Sequence, residues 1–236
     1  MKAEGRNAVL ELLKTGKNID KILLEKNAQG VLSKIFAEAR KRNIRVQFVD
    51  KAVLDKESPT KRHQGVIAFT TDYEYADLFD MVGKDESLII LCDGIEDVHN
   101  LGSIIRVAEC AGADGVVIPK ANGASVTEAV IRISAGAAEH MKVAKVPSIN
   151  YAVDELKKLG YWVYALEAGG ESIYDTSLTG KVALVVGGED SGVKRLTREK
   201  CDKVLSLPLF GKVNSLNASV ALGIAAYEVV RAREGK

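Results

Sequence analysis

The chain has 236 residues, of which 47% are hydrophobic and 28% are charged, and its formal net charge is +1. This composition is that of an ordinary globular protein, and no apolar run approaches the roughly 20 residues that a membrane-spanning helix needs. The first residues are amphipathic and include acidic side chains, so they do not predict a signal peptide. We expect a cytoplasmic protein with no membrane partner.

The charge is unevenly distributed along the chain. Residues 1–70 hold 15 Lys and Arg against 8 Asp and Glu, a net of +7, whereas residues 71–86 hold six acids and one Lys, a net of −5. A basic first third is typical of a domain that meets a polyanion such as RNA. A solvated basic surface explains the charge alone equally well.

The first region alternates short helical and extended patterns, which predicts a small α/β unit with its own core. The predicted helices are 6–13, 31–42 and 52–56, and the predicted strands are 22–24, 44–49 and 65–70. The acidic segment 71–86 has no sustained period and is interpreted as a linker.

The second region, 87–236, predicts a mainly parallel sheet covered by helices on both faces, because apolar strands alternate with helical patterns. The predicted strands are 88–92, 115–118, 142–146, 161–166, 182–186 and 203–207, and helices begin near 101, 125, 151 and 192. A last helix, from about 215 to 233, carries Val220, Ile224, Tyr227 and Val230 on one side. That side is suited to pack on neighbouring helices or on a second copy of the chain.

The cysteines and histidines predict neither a disulfide nor a metal site. They form no CxxC pair and lack metal-ligand spacing, so buried free thiols in a reducing compartment and no bound metal are expected. The residues are Cys92, Cys110, Cys201, His63, His99 and His140.

Three polar clusters follow apolar runs in the second region, at 100–106, 187–192 and 214–219. In an open parallel sheet, ligands bind at the carboxyl ends of the strands, so the three clusters predict one composite site.

In the first cluster, Asn100 is placed to cap a helix and Gly102 permits a close backbone approach. Arg106 follows Gly102 by about one helical turn, where it is well placed to hold a phosphodiester. A structural alternative is that Asn100 only caps the helix and Arg106 pairs with a surface acid.

The second and third clusters have different chemistry. The glycines and acids of 187–192 suit an adenine edge or a ribose better than a phosphate, although such turns are also common without function. The patterns GxGxxG and GxxxxGK[ST] do not follow any predicted strand, which disfavours dinucleotide binding and nucleotide hydrolysis. The third cluster crowds Asn214, Ser215, Asn217 and Ser219 at a helix start where one cap would suffice, which favours hydrogen bonding to a substrate or cofactor.

Three segments of the second region carry these clusters: DGIEDVHNLGSIIRVAECAGADGVVIPK, LVVGGEDSGV and LPLFGKVNSLNASVALGIAAYE. They resemble the three motifs of the SpoU-type (TrmH-like) branch of the SPOUT superfamily of RNA ribose 2′-O-methyltransferases. The order and spacing of the motifs match as well. GRNAVLELL and HQGVIA in the first 70 residues resemble the small ribosomal-protein-like RNA-binding domain that precedes the catalytic domain in ribosomal RNA members.

The resemblance implies a deep trefoil knot that binds S-adenosylmethionine largely through backbone atoms, and a homodimer formed through the C-terminal domain. The matching cofactor-binding positions are Gly187, Gly188, Leu207, Leu209 and Leu216. The expected domains are an RNA-binding domain at 1–70, a linker at 71–86 and a knotted methyltransferase domain at 87–236.

The resemblance also implies a catalytic set around the ribose and its phosphate, formed by Asn100, Arg106, Glu189, Ser215 and Asn217. A guanidinium resists deprotonation, so we interpret Arg106 as a phosphate clamp rather than a base, and Glu189 as orienting Arg106 or Asn100. RNA contacts are expected from Arg106 and from Arg6, Lys61, Arg62 and His63.

A guanosine of large-subunit ribosomal RNA is the expected substrate. Three other hypotheses for the function stay open. The chain could be a transfer RNA ribose methyltransferase, an antibiotic-resistance ribosomal RNA methyltransferase, or a non-catalytic RNA-binding or ribosome-assembly factor with the same fold. A small-molecule α/β enzyme is disfavoured by the basic first region and the missing phosphate fingerprints.

Overall fold

The computed structural model describes residues 2–14, 19–26, 29–58, 60–70, 73–83, 85–189 and 192–235. The chain divides into two compact units, Met1–Glu74 and Tyr75–Lys236. Among the described residues, none of the helices combines the length and apolar character needed to cross a membrane.

The first unit is a four-stranded sheet with three helices. Its elements are β1 (Lys2–Glu4), α1 (Arg6–Lys14), β2 (Ile19–Glu25), α2 (Val31–Lys41), β3 (Arg45–Val49), α3 (Lys51–Glu57) and β4 (Val66–Thr70). The strand order is β1-β4-β2-β3, with β2 and β3 parallel and the other pairs antiparallel. The sequence pattern predicted each element except β1, whose three residues are too few to show a period.

Both faces of this sheet bury apolar side chains, because successive residues of a strand point to opposite faces. On one face, Ile22 of β2 packs with Val9 and Leu13 of α1 and with Ile35 of α2. On the other face, a smaller cluster joins Leu23, Val49 and Ile67 to Leu54 of α3. The short helix α3 therefore covers part of the face that α1 and α2 leave open.

The second unit contains one six-stranded sheet. Its elements are a 3-10 helix (Leu78–Met81), β5 (Ser87–Asp93), α4 (Val98–Cys110), β6 (Gly115–Pro119), α5 (Glu128–Ile133), a 3-10 helix (Ala137–Glu139), β7 (Val143–Val146), α6 (Ile149–Lys158), β8 (Trp162–Ser172), a 3-10 helix (Ile173–Asp175), β9 (Lys181–Gly187), α7 (Arg195–Lys200), β10 (Lys203–Ser206) and α8 (Ala218–Arg233). The order β10-β8-β9-β5-β6-β7 is parallel throughout. The predicted α/β fold with a mainly parallel sheet is confirmed.

The central strands are apolar along their length because helices cover both faces of the sheet. All seven residues of β5 are buried. On one face, Val153 and Leu156 of α6 join the core with Ile89, Val163 and Val185. Helix α8 packs on α4 and β9.

The segment 71–86, predicted as a linker, is in part a packed piece of the second unit. The Ala76 N–H donates to the Val143 carbonyl at 2.9 Å, and Leu78 and Met81 are buried in the core. A Cβ built on Gly115 would lie 1.8 Å from the Met81 Sδ, so this glycine makes room for the methionine. Acidic residues surround these two apolar side chains in the sequence, so the hydrophobic pattern did not predict that they are buried.

Helix α8 begins at Ala218, three residues later than predicted. Most of its expected apolar side is open in this chain, since Val220, Ile224 and Tyr227 are 50%, 39% and 53% exposed, whereas Val230 is half-buried. The opposite side buries Leu222 and Val229.

The cysteines are only partly as expected. Cys92 is buried and Cys201 is half-buried, and burial raises the pKa of each thiol to about 12. Cys110 ends α4 and is exposed, so the expectation of a buried thiol is wrong there. No group of His, Cys, Asp and Glu suited to a metal ion occurs in the described ranges.

Gly102 of α4 is required by close helix packing. A Cβ at this position would lie 2.6 Å from Ile133 Cγ2 and 3.2 Å from the Val130 carbonyl oxygen of α5. We therefore expect Gly102→Ala to lower the free energy of unfolding by about 1–3 kcal/mol through overpacking, as measured by chemical denaturation.

The matched control is Gly223→Ala in α8, where the new Cβ would lie 3.8 Å from Val107, an ordinary contact. Alanine is the better helix former, so this variant is expected to be at least as stable as the parent chain. Equal stability of Gly102→Ala and the parent would contradict the packing explanation.

Candidate active site

The three polar clusters meet at the carboxyl edge of the second sheet. Strands β5 and β9 are neighbours and end together, with Asp93 paired to Gly187. The chain proceeds from β5 to β6 on one side, while β8 and β10 lie on the other, so this is the switch point at which open parallel sheets bind ligands.

The side chain of Asn217 connects the clusters. Its Nδ2 donates to Asn100 Oδ1 at 2.9 Å and to Glu189 Oε1 at 2.8 Å. Its Oδ1 accepts from the backbone N–H of Ser219 at 3.0 Å and of Val220 at 3.4 Å, which caps α8. Both Asn217 amide hydrogens are thus committed, and the Asn100 amide is oriented with its oxygen toward Asn217.

Asn100 does not cap its helix as predicted. Helix α4 begins at Val98 and its cap is Asp97, whose carboxylate accepts from the His99 N–H at 2.8 Å. Asn100 lies inside the first turn and is buried. Two cap-type residues stand close together in the sequence, and the earlier one takes the role, which leaves Asn100 to bond Asn217.

Arg106 lies apart from this network. It is exposed on α4, and within the described part of the chain it makes neither an ion pair nor a hydrogen bond. It lies six positions after Asn100, so the two side chains leave the helix about 120° apart at 3.6 residues per turn. The guanidinium is therefore open to an external anion, and its predicted role as a phosphate clamp stays a prediction.

The glycines of the second cluster allow three backbone segments to close on one another. A Cβ on Gly187 would lie 2.0 Å from the Gly192 carbonyl carbon, and one on Gly188 would lie 2.5 Å from the Gly94 carbonyl oxygen. The Gly188 N–H donates to the Asp93 carbonyl at 3.2 Å. Side chains are excluded here by the protein's own backbone, independently of any ligand.

A buried acid, Asp93, holds the end of the same loop, and the sequence reading missed it. Its Oδ2 accepts from the Lys194 N–H at 3.0 Å, and its Oδ1 lies 3.3 Å from Lys194 Nζ. An acid closing an otherwise apolar strand was the available signal, because a buried carboxylate needs partners.

A cavity of ≈ 380 Å³ opens beside these loops. Its lining includes all five positions predicted to bind the cofactor, Gly187, Gly188, Leu207, Leu209 and Leu216, together with Glu189 and Ser215 of the predicted catalytic set. The remaining lining residues are Leu166, Glu167, Ala168, Val186, Gly192, Leu205, Asn214, Ala218 and Ala221. Asn100, Arg106 and Asn217 lie outside this lining.

The cavity suits a ligand with an apolar ring and polar ends. Leucine side chains and Val186 supply apolar walls, and the glycine backbone supplies N–H and C=O groups at close range. The Glu167 carboxylate, which the sequence reading also missed, lines the cavity and accepts from Arg198 at 2.8 Å. This size and lining are those of a small-molecule site, and the residues fit S-adenosylmethionine.

The predicted RNA contacts in the first unit fall into two groups. Arg6, Lys61 and Arg62 are exposed, and Arg6 Nε donates to the Gln64 carbonyl at 3.1 Å. His63 is buried, in contrast to these three residues, and its predicted RNA contact stays a prediction.

The His63 ring instead holds the loop before β4. Its Nδ1 accepts from the Gly65 N–H at 3.0 Å, which leaves Nε2 to donate to Asp55 Oδ1 at 3.0 Å. Lys61 and Gln64 on either side have positive φ angles, which turn the loop so that His63 points inward.

Residues 87–227 match the sequence profile of the SpoU rRNA Methylase family. The chain belongs to this family. Residues 2–76 match a second profile, described as RNA 2′-O ribose methyltransferase substrate binding. The trefoil knot that the resemblance implies is consistent with this membership.

Relatives agree with the assignment. A Bacillus subtilis protein named for the TrmH family of tRNA/rRNA methyltransferases, YacO, is 40% identical over 97% of this chain and 94% of its own. An AdoMet-bound rRNA methyltransferase from Sinorhizobium meliloti shares the fold, with a TM-score of 0.62 and 23% identity over 98% of this chain and 86% of its own. The A. aeolicus TrmH/SpoU tRNA modifying enzyme has a TM-score of 0.58 and 28% identity over 67% of this chain and 80% of its own.

We predict that Gly187→Ala abolishes binding of S-adenosylmethionine, or weakens it at least tenfold, because the new Cβ would force apart Gly187 and Gly192, which both line the cavity. Isothermal titration calorimetry measures the affinity. Gly211→Ala is the matched control, since no atom lies within 4 Å of the new Cβ there. Parent-like affinity in Gly187→Ala would show that this loop does not shape the cofactor site.

Proposed function

We propose that this protein transfers a methyl group from S-adenosylmethionine to a ribose 2′-hydroxyl of RNA, with a guanosine of large-subunit ribosomal RNA as the substrate. The observation that carries the proposal is the position of Glu189. This residue lines the cavity and also accepts a hydrogen bond from Asn217, so the polar network adjoins the cofactor site.

The cavity is the proposed cofactor site. Its leucine walls would hold the adenine, and the backbone around Gly187 would hydrogen-bond its edge. Bound there, S-adenosylmethionine supplies an electrophilic methyl group on a sulfonium. The AdoMet reported with the Sinorhizobium meliloti enzyme supports this assignment.

The chain's own residues position the nucleophile. Since Asn100 directs its oxygen to Asn217, its Nδ2 is the group available to donate to a ribose or phosphate oxygen. Arg106 binds the adjacent phosphate and, as a guanidinium, does not accept the hydroxyl proton, which passes to solvent. Most of the rate enhancement then comes from alignment of the hydroxyl with the methyl group.

The choice of ribosomal RNA rests on the first unit. The match to the rRNA methyltransferase extends over 98% of this chain and includes a region with a substrate-binding profile. Transfer RNA is the second candidate substrate, supported by the 28% identity to the tRNA modifying enzyme, a match that covers 67% of this chain. Mapping of 2′-O-methylation in total RNA from a strain lacking this protein separates the two.

We also propose a homodimer formed through α8. Its exposed apolar residues Val220, Ile224 and Tyr227 are large, contiguous on one helix face, and costly to leave in water. A second copy presenting the same face would bury them.

Arg106→Ala is expected to reduce methyl transfer at least 100-fold while S-adenosylmethionine affinity changes by no more than a few-fold. The reason is that Arg106 is outside the cavity lining and is assigned to the RNA phosphate. The assay follows radiolabelled methyl transfer to RNA from the deletion strain. Arg195→Ala, which removes another exposed arginine, is the control, and unchanged turnover of Arg106→Ala would contradict the clamp role.

Asn217→Asp tests the network more finely. Aspartate caps a helix as well as asparagine, but it has no N–H to donate and would set a carboxylate against Glu189. We expect methyl transfer to fall about 100-fold, with the thermal stability of the chain changed little. Ser219→Ala, which removes only a hydroxyl bonded to the cap oxygen, should stay within a few-fold of the parent. Equal turnover of the two variants would contradict a role of the Asn217 hydrogen bonds in catalysis.

A further inference from the structure

The sheet of the first unit carries a row of basic and aromatic residues that crosses all four strands. Lys2 of β1 pairs with Phe69 of β4, Phe69 pairs with Lys21 of β2, and Lys21 pairs with Arg45 of β3. Residues paired directly across strands point to the same face. We call these four residues the sheet row.

The aromatic ring organises the cations of the sheet row. Lys21 Nζ lies 4.7 Å and Lys2 Nζ 5.2 Å from the centroid of the Phe69 ring, within cation–π range. Lys2 also pairs with Glu57 Oε2 at 2.7 Å. The hydrogen bond from Lys2, with the charges of Lys2 and Lys21, lowers the pKa of the Glu57 carboxyl.

The sheet row stays partly accessible because the apolar cluster under α3 lies mainly on the neighbouring row, with Phe69 at its margin. Leu23 and Ile67 lie two residues along their strands from Lys21 and Phe69. They pack against Leu54 of α3. In the sheet row itself, Lys2 and Arg45 are exposed, and Lys21 and Phe69 are half-buried.

We propose that the sheet row binds the sugar–phosphate backbone of RNA, in addition to the loop that carries Lys61 and Arg62. This inference rests on the proposed function, which makes RNA the substrate. With strands about 4.8 Å apart, the row spans about 14 Å, enough for several phosphates. Because the Phe69 ring already engages two ammonium groups, the row contacts phosphates rather than stacking on bases.

The experiment uses the full chain and a fluorescein-labelled RNA hairpin of mixed sequence, with binding followed by anisotropy at several salt concentrations. The double variant Lys21→Gln, Arg45→Gln is expected to bind at least tenfold more weakly. Each phosphate contact contributes about 0.7–0.9 to the slope of log affinity against log salt, so the slope should fall by about 1.5.

The matched control, Lys34→Gln, Arg40→Gln, removes the same two charge types from exposed positions of α2, which lies on the other face of the sheet. It should bind within twofold of the parent chain. Equal losses in the two double variants would mean that only total charge matters, which would overturn the inference.

A measurement without substitutions guards against misfolded variants. Acetylation of the parent chain by N-hydroxysuccinimidyl acetate should be slowed at Lys21, and unchanged at Lys34, when the hairpin RNA is present. Equal acetylation of Lys21 with and without RNA overturns the sheet row but leaves the proposed function standing. Failure of the parent chain to bind RNA at all overturns both.

Discussion

The candidate site depends on the hydrogen bonds of the Asn217 carboxamide. One side chain caps α8 with its oxygen and ties Asn100 of α4 to Glu189 of the glycine-rich loop with its two N–H groups. Three segments distant in the sequence are thereby held in one geometry. Because an amide has distinct donor and acceptor ends, it also fixes the Asn100 Nδ2 as the end that points away from Asn217.

The cavity beside this network depends on backbone closeness rather than on side chains. Gly187 and Gly188 let the end of β9 contact Gly192 and Gly94 at distances that no Cβ permits. Buried Asp93 then fixes the loop through Lys194. A rigid backbone of this kind presents N–H and C=O groups at fixed positions, which lowers the entropic cost of ordering a bound ligand.

In the first unit, most of the residues that we propose to bind RNA lie outside the two apolar clusters of the core. Helices α1 and α2 bury one face of its sheet, and α3 covers part of the other. In the sheet row, Lys2 and Arg45 stay exposed, and Lys21 and Phe69 are half-buried. Both ring nitrogens of His63 are bonded within the unit. A basic loop and a basic row across one face of the sheet are consistent with contact to an extended polyanion.

The sequence by itself determined the alternation of strands and helices, the parallel sheet, and the chemistry of the three clusters, because periodicity and residue type are local properties. Only the tertiary structure decided their partners. Asn100 and Asn217 are 117 positions apart, and their hydrogen bond exists because the fold brings α4 to the start of α8. The burial of His63 and the packing of Met81 were equally hidden, since both depend on neighbours that no local pattern specifies.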